Sequence, residues 1–253
     1  MRRRDRRSAP PSFERLRRNP DAVRSPVPDI EIGSLRLSEA DPDAFDHALD
    51  AAERARADRY VRREDRDRFR LGRGLLRRML AAELGRSPAS LRFLADAHGK
   101  PILDGPCPLA FNLSHSGDLV LAAIGRVAAI GIDVERRRDD LDLRAVGAEV
   151  YTPGEIAAIA AASPGGRAAV FFDLWTFKEA LLKGIGTGFV ADPRSVEIRI
   201  GPDGARAASA RRSDPDPCAP WRIERLSVPA GYHAALAVLP HAVAEPSMPD
   251  VPG

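Results

Sequence analysis

Residues 171–183 combine an apolar helical pattern with three side chains that could do chemistry. Trp175, Glu179 and Lys183 recur every four residues, so a helix would carry all three on one face. Three glycines follow this stretch, Gly184, Gly186 and Gly188. A carboxylate and two ammonium groups, those of Lys178 and Lys183, beside a glycine-rich turn could serve an anionic, metal-bound substrate. The same spacing is typical of a Glu–Lys pair on a helix surface, so these residues alone leave both interpretations open.

Two further carboxylates, Asp133 and Glu135, stand two residues apart at the end of an apolar run. Because strand side chains alternate, both carboxylates would point to the same side of a strand. Together with Glu179 they could form a hard oxygen site for Mg²⁺. Such a pair alone is usually the polar face of a strand. Here the strand is otherwise apolar and small, so two anionic groups at its end need a partner cation.

The segment Ser114-His115-Ser116-Gly117 is predicted to be a polar loop between two apolar runs. Loop amides with hydroxyl and imidazole donors can grip a phosphate. A Ser-His-Asp nucleophilic triad is disfavoured, because adjacent residues on an extended loop point apart and the sequence has no Gly-x-Ser-x-Gly elbow. A merely structural role for His115 stays open.

Lys100, Lys178 and Lys183 stand near these motifs in a chain that otherwise uses arginine almost exclusively. A compact ammonium group suits contact with a diphosphate or proton delivery to a leaving group. The arginine-dense stretch 54–73 is a possible anion shelf, since guanidinium groups match phosphate geometry. Its arginines interleave with acidic residues and can equally be solvated helix charges.

The elements that must position these groups follow from apolar periodicity and turn residues. Strands are expected over 30–37, 91–94, 196–200, 221–228 and 232–239, and a hairpin is expected to join 119–124 to 127–135 through Gly125-Arg126. Helices are expected from Pro42, along the basic stretch up to Leu84, over 143–150, from Thr152 in a capping box, and over 171–183.

The composition is that of a soluble globular protein of one large or two small domains, with 253 residues and a net charge of +3. The longest apolar stretch, 119–124, is too short to span a membrane. Cys107 and Cys218 predict neither a disulfide framework nor a metal knuckle, and a reduced cytoplasm is expected. Residues 1–28, rich in arginine and proline, predict a disordered tail without an export signal, and residues 241–253 predict a loose C-terminal tail.

Four segments in order resemble the 4′-phosphopantetheinyl transferases, specifically the longer, surfactin-type class. They are Gly99-Lys100-Pro101, the FNLSHS stretch 111–116, the GIDVE stretch 131–135 and the WTFKEALLK stretch 175–183. The resemblance implies an α+β fold of two similar α/β subdomains, residues 29–127 and 128–240. These subdomains would pack as a pseudo-dimer, with the active site in the cleft between them.

The resemblance also implies an activity. The family transfers the 4′-phosphopantetheine arm of coenzyme A to a serine of an apo acyl or peptidyl carrier protein, with Mg²⁺, releasing adenosine 3′,5′-bisphosphate. By position, Asp133, Glu135 and Glu179 are the implied Mg²⁺ ligands, and Glu179 and Lys183 the implied catalytic residues. The residues implied to bind coenzyme A are Arg68, Lys100, Ser114, His115, Asp133, Lys178 and Lys183. Among them Arg68 would contact the adenosine 3′-phosphate, with Arg54 or Arg56 assisting. Either Glu179 or a metal-bound water would be the general base.

Two rival functions stay open. One is a Mg²⁺-dependent coenzyme A or nucleotide diphosphate hydrolase. The other, from a different class, is a nucleic-acid-binding module that uses the basic N-terminus. For the transferase we expect a cytoplasmic monomer with a carrier-protein partner and with neither membrane nor nucleic-acid partners. Carrier proteins are acidic around the modified serine, which the slight positive charge of this chain would suit.

Overall fold

The computed structural model describes residues 22–97, 99–186, 192–201, 204–209 and 220–241. The first half contains β1 (Ile30–Arg36), a 3₁₀ helix (Pro42–Ala48), α1 (Ala51–Asp58), α2 (Arg63–Leu84), β2 (Phe93–Ala95), β3 (Pro101–Leu103), β4 (Ala110–Ser116) and β5 (Leu119–Gly125). The second half contains β6 (Ala129–Arg136), α3 (Leu143–Val150), α4 (Pro153–Ala161), α5 (Arg167–Ile185), β7 (Val196–Gly201), β8 (Gly204–Ser209), β9 (Arg222–Arg225) and β10 (Tyr232–Leu239). Two further 3₁₀ turns cover Pro88–Ser90 and Pro193–Ser195.

The two halves repeat one plan. In each half the first strand pairs antiparallel with the last strand, β1 with β5 and β6 with β10. The strand order is β1-β5-β4 in the first sheet and β6-β10-β9-β8-β7 in the second. One long helix, α2 or α5, packs on each sheet. The predicted α+β fold with two similar subdomains is therefore confirmed. The predicted boundary between residues 127 and 128 lies in the turn from β5 to β6, and the subdomain limits stay a prediction.

Three apolar clusters form the core, one within each half and one between the two sheets. The first lies between α2 and the first sheet, and the second between α5 and the second sheet. The third joins the two sheets through residues of β1, β5, β6 and β10, namely Ile30, Leu119, Leu121, Ala123, Ile130, Ile132, Val134, Ala234, Leu236 and Val238. Because both faces of β5 and β6 are covered, these strands are apolar in nearly every position.

Some local predictions are wrong. Strands β5 and β6 do not form the expected hairpin, since β5 pairs with β1 and β4 while β6 pairs with β10. Two consecutive apolar runs with a short turn predict strands, but the pattern does not specify which strand each one pairs with. Ser114 and His115 lie on β4 rather than in a loop. The basic stretch forms two helices instead of one, since α1 ends at Asp58 and α2 begins at Arg63.

The predicted tail at residues 1–28 extends too far. Val23 is buried in the cluster between the sheets, and its backbone N–H donates to Ser34 Oγ at 3.3 Å. Residues 22–28 are therefore part of the fold, while residues 1–21 and 242–253 lie outside the described residues, as do Gly188 and Cys218. Over the described ranges, the helices are too short or too polar to cross a bilayer.

Candidate active site

Helix α5 lies against β6 and carries the groups expected to do chemistry. It is buried on most of its circumference, so the interpretation of Glu179 and Lys183 as an exposed surface pair is wrong. The close approach depends on Gly131 of β6, where a Cβ would lie 1.9 Å from the Ala180 carbonyl oxygen and 2.5 Å from the Gly184 nitrogen. A glycine at position 131 thus lets the last turns of α5 rest directly on the strand that ends in Asp133.

Lys183 joins the two subdomains at this point. Its Nζ donates to Asp133 Oδ1 at 2.6 Å and to Ser114 Oγ at 3.0 Å, and the Ser114 hydroxyl lies 2.9 Å from the same carboxylate oxygen. Burial works against the charge of Lys183, but Asp133, with Glu179 and Glu135 nearby, raises the pKa of the ammonium group above its usual value. The carboxylate therefore has the partner cation that its burial requires.

Glu135 and Glu179 extend this anionic cluster. Burial, followed by the charge of Asp133, raises the pKa of Glu179 to about 8. The same two causes raise the pKa of Glu135, although a hydrogen bond from Ser116 to Glu135 Oε2 at 2.8 Å opposes the shift. The mutual effect of these groups shows that the three carboxylates predicted to form one site do lie close enough to interact.

The fit of this cluster to a metal ion rests on two orphaned oxygens. Among the described residues, Asp133 Oδ2 and Glu179 Oε1 are buried without a hydrogen-bond partner, and a cation is what such oxygens lack. Over the same residues, no group of three or more histidine, cysteine, aspartate or glutamate side chains is already arranged to hold an ion. The donor set suits Mg²⁺, but the side chains must converge before they could bind it together.

The residues predicted to contact an anion gather near Lys183. Ser114, His115 and Lys183 lie at one part of a groove of about 730 Å³. Partial desolvation, followed by the charge of Lys183 and then that of Arg68, lowers the pKa of His115. Arg68 is held beside them, because its Nε donates to the Gly117 carbonyl at 2.7 Å and its Nη1 to Asp65 Oδ1 at 2.6 Å.

Lys100 reaches the same corner from the turn between β2 and β3. Its Nζ donates to the Lys183 carbonyl at 2.7 Å and to the Gly184 carbonyl at 3.4 Å. These are carbonyls of the last turn of α5, where a cation is favoured by the helix dipole and by the unpaired acceptors. Lys100 therefore ties the first subdomain to the end of the helix that carries Lys183.

The prediction that Lys178 binds coenzyme A is wrong. Lys178 is 1% exposed and is not among the residues that line the groove. It donates to Glu155 Oε2 at 2.8 Å and to the carbonyls of Pro193 and Val196 at 2.9 and 2.7 Å. These three acceptors match the three protons of an ammonium group, so Lys178 is fully used inside the second subdomain. Four residues separate Glu179 from Lys183 on α5, whereas Lys178 lies on the adjacent face.

The groove is also lined by Arg59 and Arg73, which belong to the predicted anion shelf, and by the aromatic residues Tyr60 and Phe93, which were given no role in the site. Arg73 packs its guanidinium group 4.4 Å from the centre of the Phe93 ring. These residues come from the turn after α1, from α2 and from β2, and nothing in their sequence spacing shows that the three segments converge. Ser116 was assigned only to the predicted phosphate-binding segment and not to a carboxylate, although its spacing from Ser114 repeats that of Glu135 from Asp133.

Two family models match the chain, one for each half. A model described as the 4′-phosphopantetheinyl transferase superfamily matches residues 129–237, and a model described as 4′-phosphopantetheinyl transferase, N-terminal, matches residues 38–126. The two matches thus meet at the turn between β5 and β6, where the repeated plan of the fold also divides. Both models describe 4′-phosphopantetheinyl transferases, and this is the class of protein to which the fold and the site correspond.

Individual relatives agree with the family models. The 4′-phosphopantetheinyl transferase HetI of Nostoc sp. is 38% identical over 157 residues, which cover 61% of this chain and 66% of HetI. A 4′-phosphopantetheinyl transferase of Bacillus subtilis is 30% identical over 66% of this chain and 74% of its own length. The transferase Sfp of Bacillus subtilis is 26% identical over 85% of this chain and 90% of Sfp. The chain belongs to the 4′-phosphopantetheinyl transferase superfamily, and the resemblance drawn from the four motifs is confirmed.

Proposed function

We propose that this chain transfers the 4′-phosphopantetheine arm of coenzyme A to a serine hydroxyl of an apo acyl or peptidyl carrier protein, releasing adenosine 3′,5′-bisphosphate. The observation that carries the proposal is the bridge in which Lys183 contacts Ser114 of one subdomain and Asp133 of the other. It brings hydroxyl, ammonium and carboxylate groups together beside a groove of about 730 Å³. The transferase names of the relatives support the same activity.

The polar groups of the groove suit a substrate with several phosphates. Ser114 and His115 offer a hydroxyl and an imidazole next to the Lys183 ammonium, which is the donor set for a diphosphate. Arg56 of α1 and Arg59, which follows that helix, also line the groove and could take a more distant phosphate. We assign the diphosphate of coenzyme A to the Lys183 end, with Arg68 and Lys100 supporting that end from either side.

Asp133, Glu135 and Glu179 would hold the Mg²⁺ ion. When bound, Mg²⁺ neutralises the charge that develops on the diphosphate as its P–O bond breaks. The unpartnered oxygens of Asp133 and Glu179 support this assignment. Since Lys183 now contacts Asp133, its ammonium group would turn towards the substrate phosphate when the carboxylates converge.

Glu179 and Lys183 have separate roles in the transfer step. The carrier serine oxygen bonds to the phosphorus attached to the pantetheine arm, and the P–O bond to the bisphosphate breaks. We assign the serine proton to the Glu179 carboxylate. Lys183 keeps its charge and stabilises the departing bisphosphate oxygen.

Incubation with coenzyme A, Mg²⁺ and a panel of apo carrier proteins tests the proposal. We expect a carrier to gain the mass of one phosphopantetheine arm. Asp133→Ala should abolish the gain, whereas Asp139→Ala, which removes an exposed aspartate paired with Arg137, should not. Free phosphopantetheine formed without a carrier would instead support the hydrolase. Binding to nucleic acid that weakens steeply with salt and disappears on deleting residues 1–28 would support the binding module.

The remaining expectations stay proposals. We propose a cytoplasmic monomer whose macromolecular partner is the carrier protein. Light scattering should then give a mass near the 27.4 kDa of one chain. A mass of twice that value would contradict the monomer without bearing on the transfer reaction.

A further inference from the structure

Strands β4 and β6 face each other as the edge strands of the two sheets. An edge strand exposes backbone N–H groups that need partners. Three alternate N–H groups of β6 donate to side chains of β4, namely Ile132 N to Asn112 Oδ1 at 3.1 Å, Val134 N to Ser114 Oγ at 3.4 Å and Arg136 N to Ser116 Oγ at 3.0 Å. We call these three hydrogen bonds the seam. The subdomains are therefore joined by side chains that repeat with the period of a strand.

The two serines of the seam make a second contact that Asn112 does not make. Ser114 Oγ donates to Asp133 Oδ1 at 2.9 Å, and Ser116 Oγ donates to Glu135 Oε2 at 2.8 Å. Within the part of the chain that the structure describes, the hydrogen bond of Asn112 is to the backbone of β6 alone. Each serine hydroxyl thus accepts a hydrogen bond from a backbone N–H of β6. It donates a hydrogen bond to the carboxylate of the β6 residue that precedes this N–H.

This double contact fixes the direction of the hydroxyl proton. A serine hydroxyl has one proton to donate, and its lone pairs accept. Because the Arg136 N–H occupies the acceptor side of Ser116, the Ser116 proton is left to point at Glu135. The backbone of one subdomain therefore determines how the side chain of the other subdomain holds a carboxylate.

From this arrangement we propose that Ser116 is a positioning residue that orients the Glu135 carboxylate for the metal ion. The inference rests on the proposed function, because that function assigns Glu135 to Mg²⁺. Ser116 would hold Oε2 and leave Oε1 for the ion. Glutamate has several rotatable bonds, so a carboxylate without such a partner must be ordered by the ion itself. Partners of this kind are worth roughly 10- to 100-fold in metal affinity.

The test compares two substitutions of nearly equal shape. Ser116→Thr keeps the hydroxyl group, whereas Ser116→Val replaces it with a methyl group. Binding of Mn²⁺ to the full chain is measured by electron paramagnetic resonance, with and without coenzyme A. We expect Ser116→Val to raise the Mn²⁺ dissociation constant at least ~10-fold and Ser116→Thr to leave it near the wild-type value. With Mg²⁺ in the transfer assay, Ser116→Val should raise the Mg²⁺ requirement while the KM for coenzyme A stays unchanged.

Asn112→Ala is the control for the seam itself. It removes a seam hydrogen bond and no carboxylate contact, so it should lower the unfolding temperature without changing Mn²⁺ affinity. Equal losses of Mn²⁺ affinity in Asn112→Ala and Ser116→Val, or wild-type affinity in Ser116→Val, would overturn the positioning role. If Asn112→Ala does not fold, the comparison of Mn²⁺ affinity between Ser116→Thr and Ser116→Val alone decides the positioning role. Wild-type protein that binds Mn²⁺ but transfers nothing would contradict the proposed function and leave the role of Ser116 intact.

Discussion

The Lys183 ammonium lies 2.6 Å from Asp133 Oδ1, so the carboxylate that we assign to the metal already has a cation of the protein's own. Asp133 is 2% exposed, and a lone charge at that depth would strongly destabilise the fold. The ion pair removes this cost in the protein without metal. It also means that an incoming metal ion at the unpartnered Oδ2 and the Lys183 ammonium at Oδ1 would compete for the charge of the same carboxylate.

Replacing Lys183 should separate metal binding from catalysis. Lys183→Met keeps the length of the side chain and removes its charge. We expect Mn²⁺ to bind about 10-fold more tightly without coenzyme A, because its competitor for Asp133 is gone. Phosphopantetheine transfer should fall about 100-fold or more, because the departing bisphosphate loses its cation. Titration with Mn²⁺ and initial rates on one apo carrier protein measure the two effects.

The control for Lys183 is Arg199, an exposed cation paired with Glu197. Arg199→Met should leave both Mn²⁺ binding and transfer at wild-type values. Unchanged or weaker Mn²⁺ binding in Lys183→Met would show that the ammonium group does not compete with the metal. A rise confined to the KM for coenzyme A would argue against a role on the leaving group.

The sequence predicts which site residues share a face of a strand or a helix, but it does not predict which of these elements contact each other. Strand alternation placed Asp133 and Glu135 on one side, and helical spacing placed Glu179 and Lys183 on one face. Neither period says which strand a helix lies on, so the contact between Lys183 and Asp133 had no local signal. It depends on Gly131, whose missing side chain admits α5, and that role appears only in three dimensions.

The error on Lys178 has a physical cause. Its position one residue before Glu179 and its rarity as a lysine suggested a ligand contact. A helix turns by about 100° per residue, so neighbours in sequence face different surroundings. The acceptor that holds Lys178 is Glu155, which sits 23 residues earlier at the start of α4. No spacing rule links those two positions, and burial of the pair follows from how α4 and α5 pack.

Lys178→Met should damage stability rather than substrate binding. Removing one member of a buried ion pair leaves the other charge uncompensated, at a cost of about 3–5 kcal/mol. Glu155 is that partner, and it also accepts the N–H groups of Thr152 and Ile198. Urea unfolding measures the loss, and the KM for coenzyme A of the folded protein should not change. A raised KM with little loss of stability would restore Lys178 to the binding site.

Gly131→Ala should move α5, which carries Lys183, away from β6, which carries Asp133. The added Cβ would meet the Ala180 carbonyl at 1.9 Å, so the helix must move away from β6. Overpacking of this kind costs about 1–3 kcal/mol, and the shift would separate Lys183 from Asp133. We expect lower unfolding temperature together with a lower kcat. Gly147→Ala is the control, because its Cβ would stay 3.4 Å from the Tyr151 ring; wild-type kcat in Gly131→Ala would contradict the close packing.

Glu179 should make the stability of the metal-free protein depend on pH. Its pKa rises from an ordinary 4.5 to about 8 on folding, so the folded protein binds the proton more tightly than the unfolded chain. Stability from this group is therefore complete below pH 4.5 and is lost as the pH rises towards 8.

In Glu179→Gln the titrating group is absent. With the metal removed by EDTA, we expect the free energy of unfolding of the wild type to fall relative to that of Glu179→Gln between pH 5 and pH 8. Urea unfolding at several pH values measures this difference, which should exceed ~1 kcal/mol across the window. Since amide and carboxylate differ in other ways, the change with pH decides the outcome, and the absolute stabilities do not. Parallel curves for the two proteins would mean that Glu179 is ionised at neutral pH even without metal.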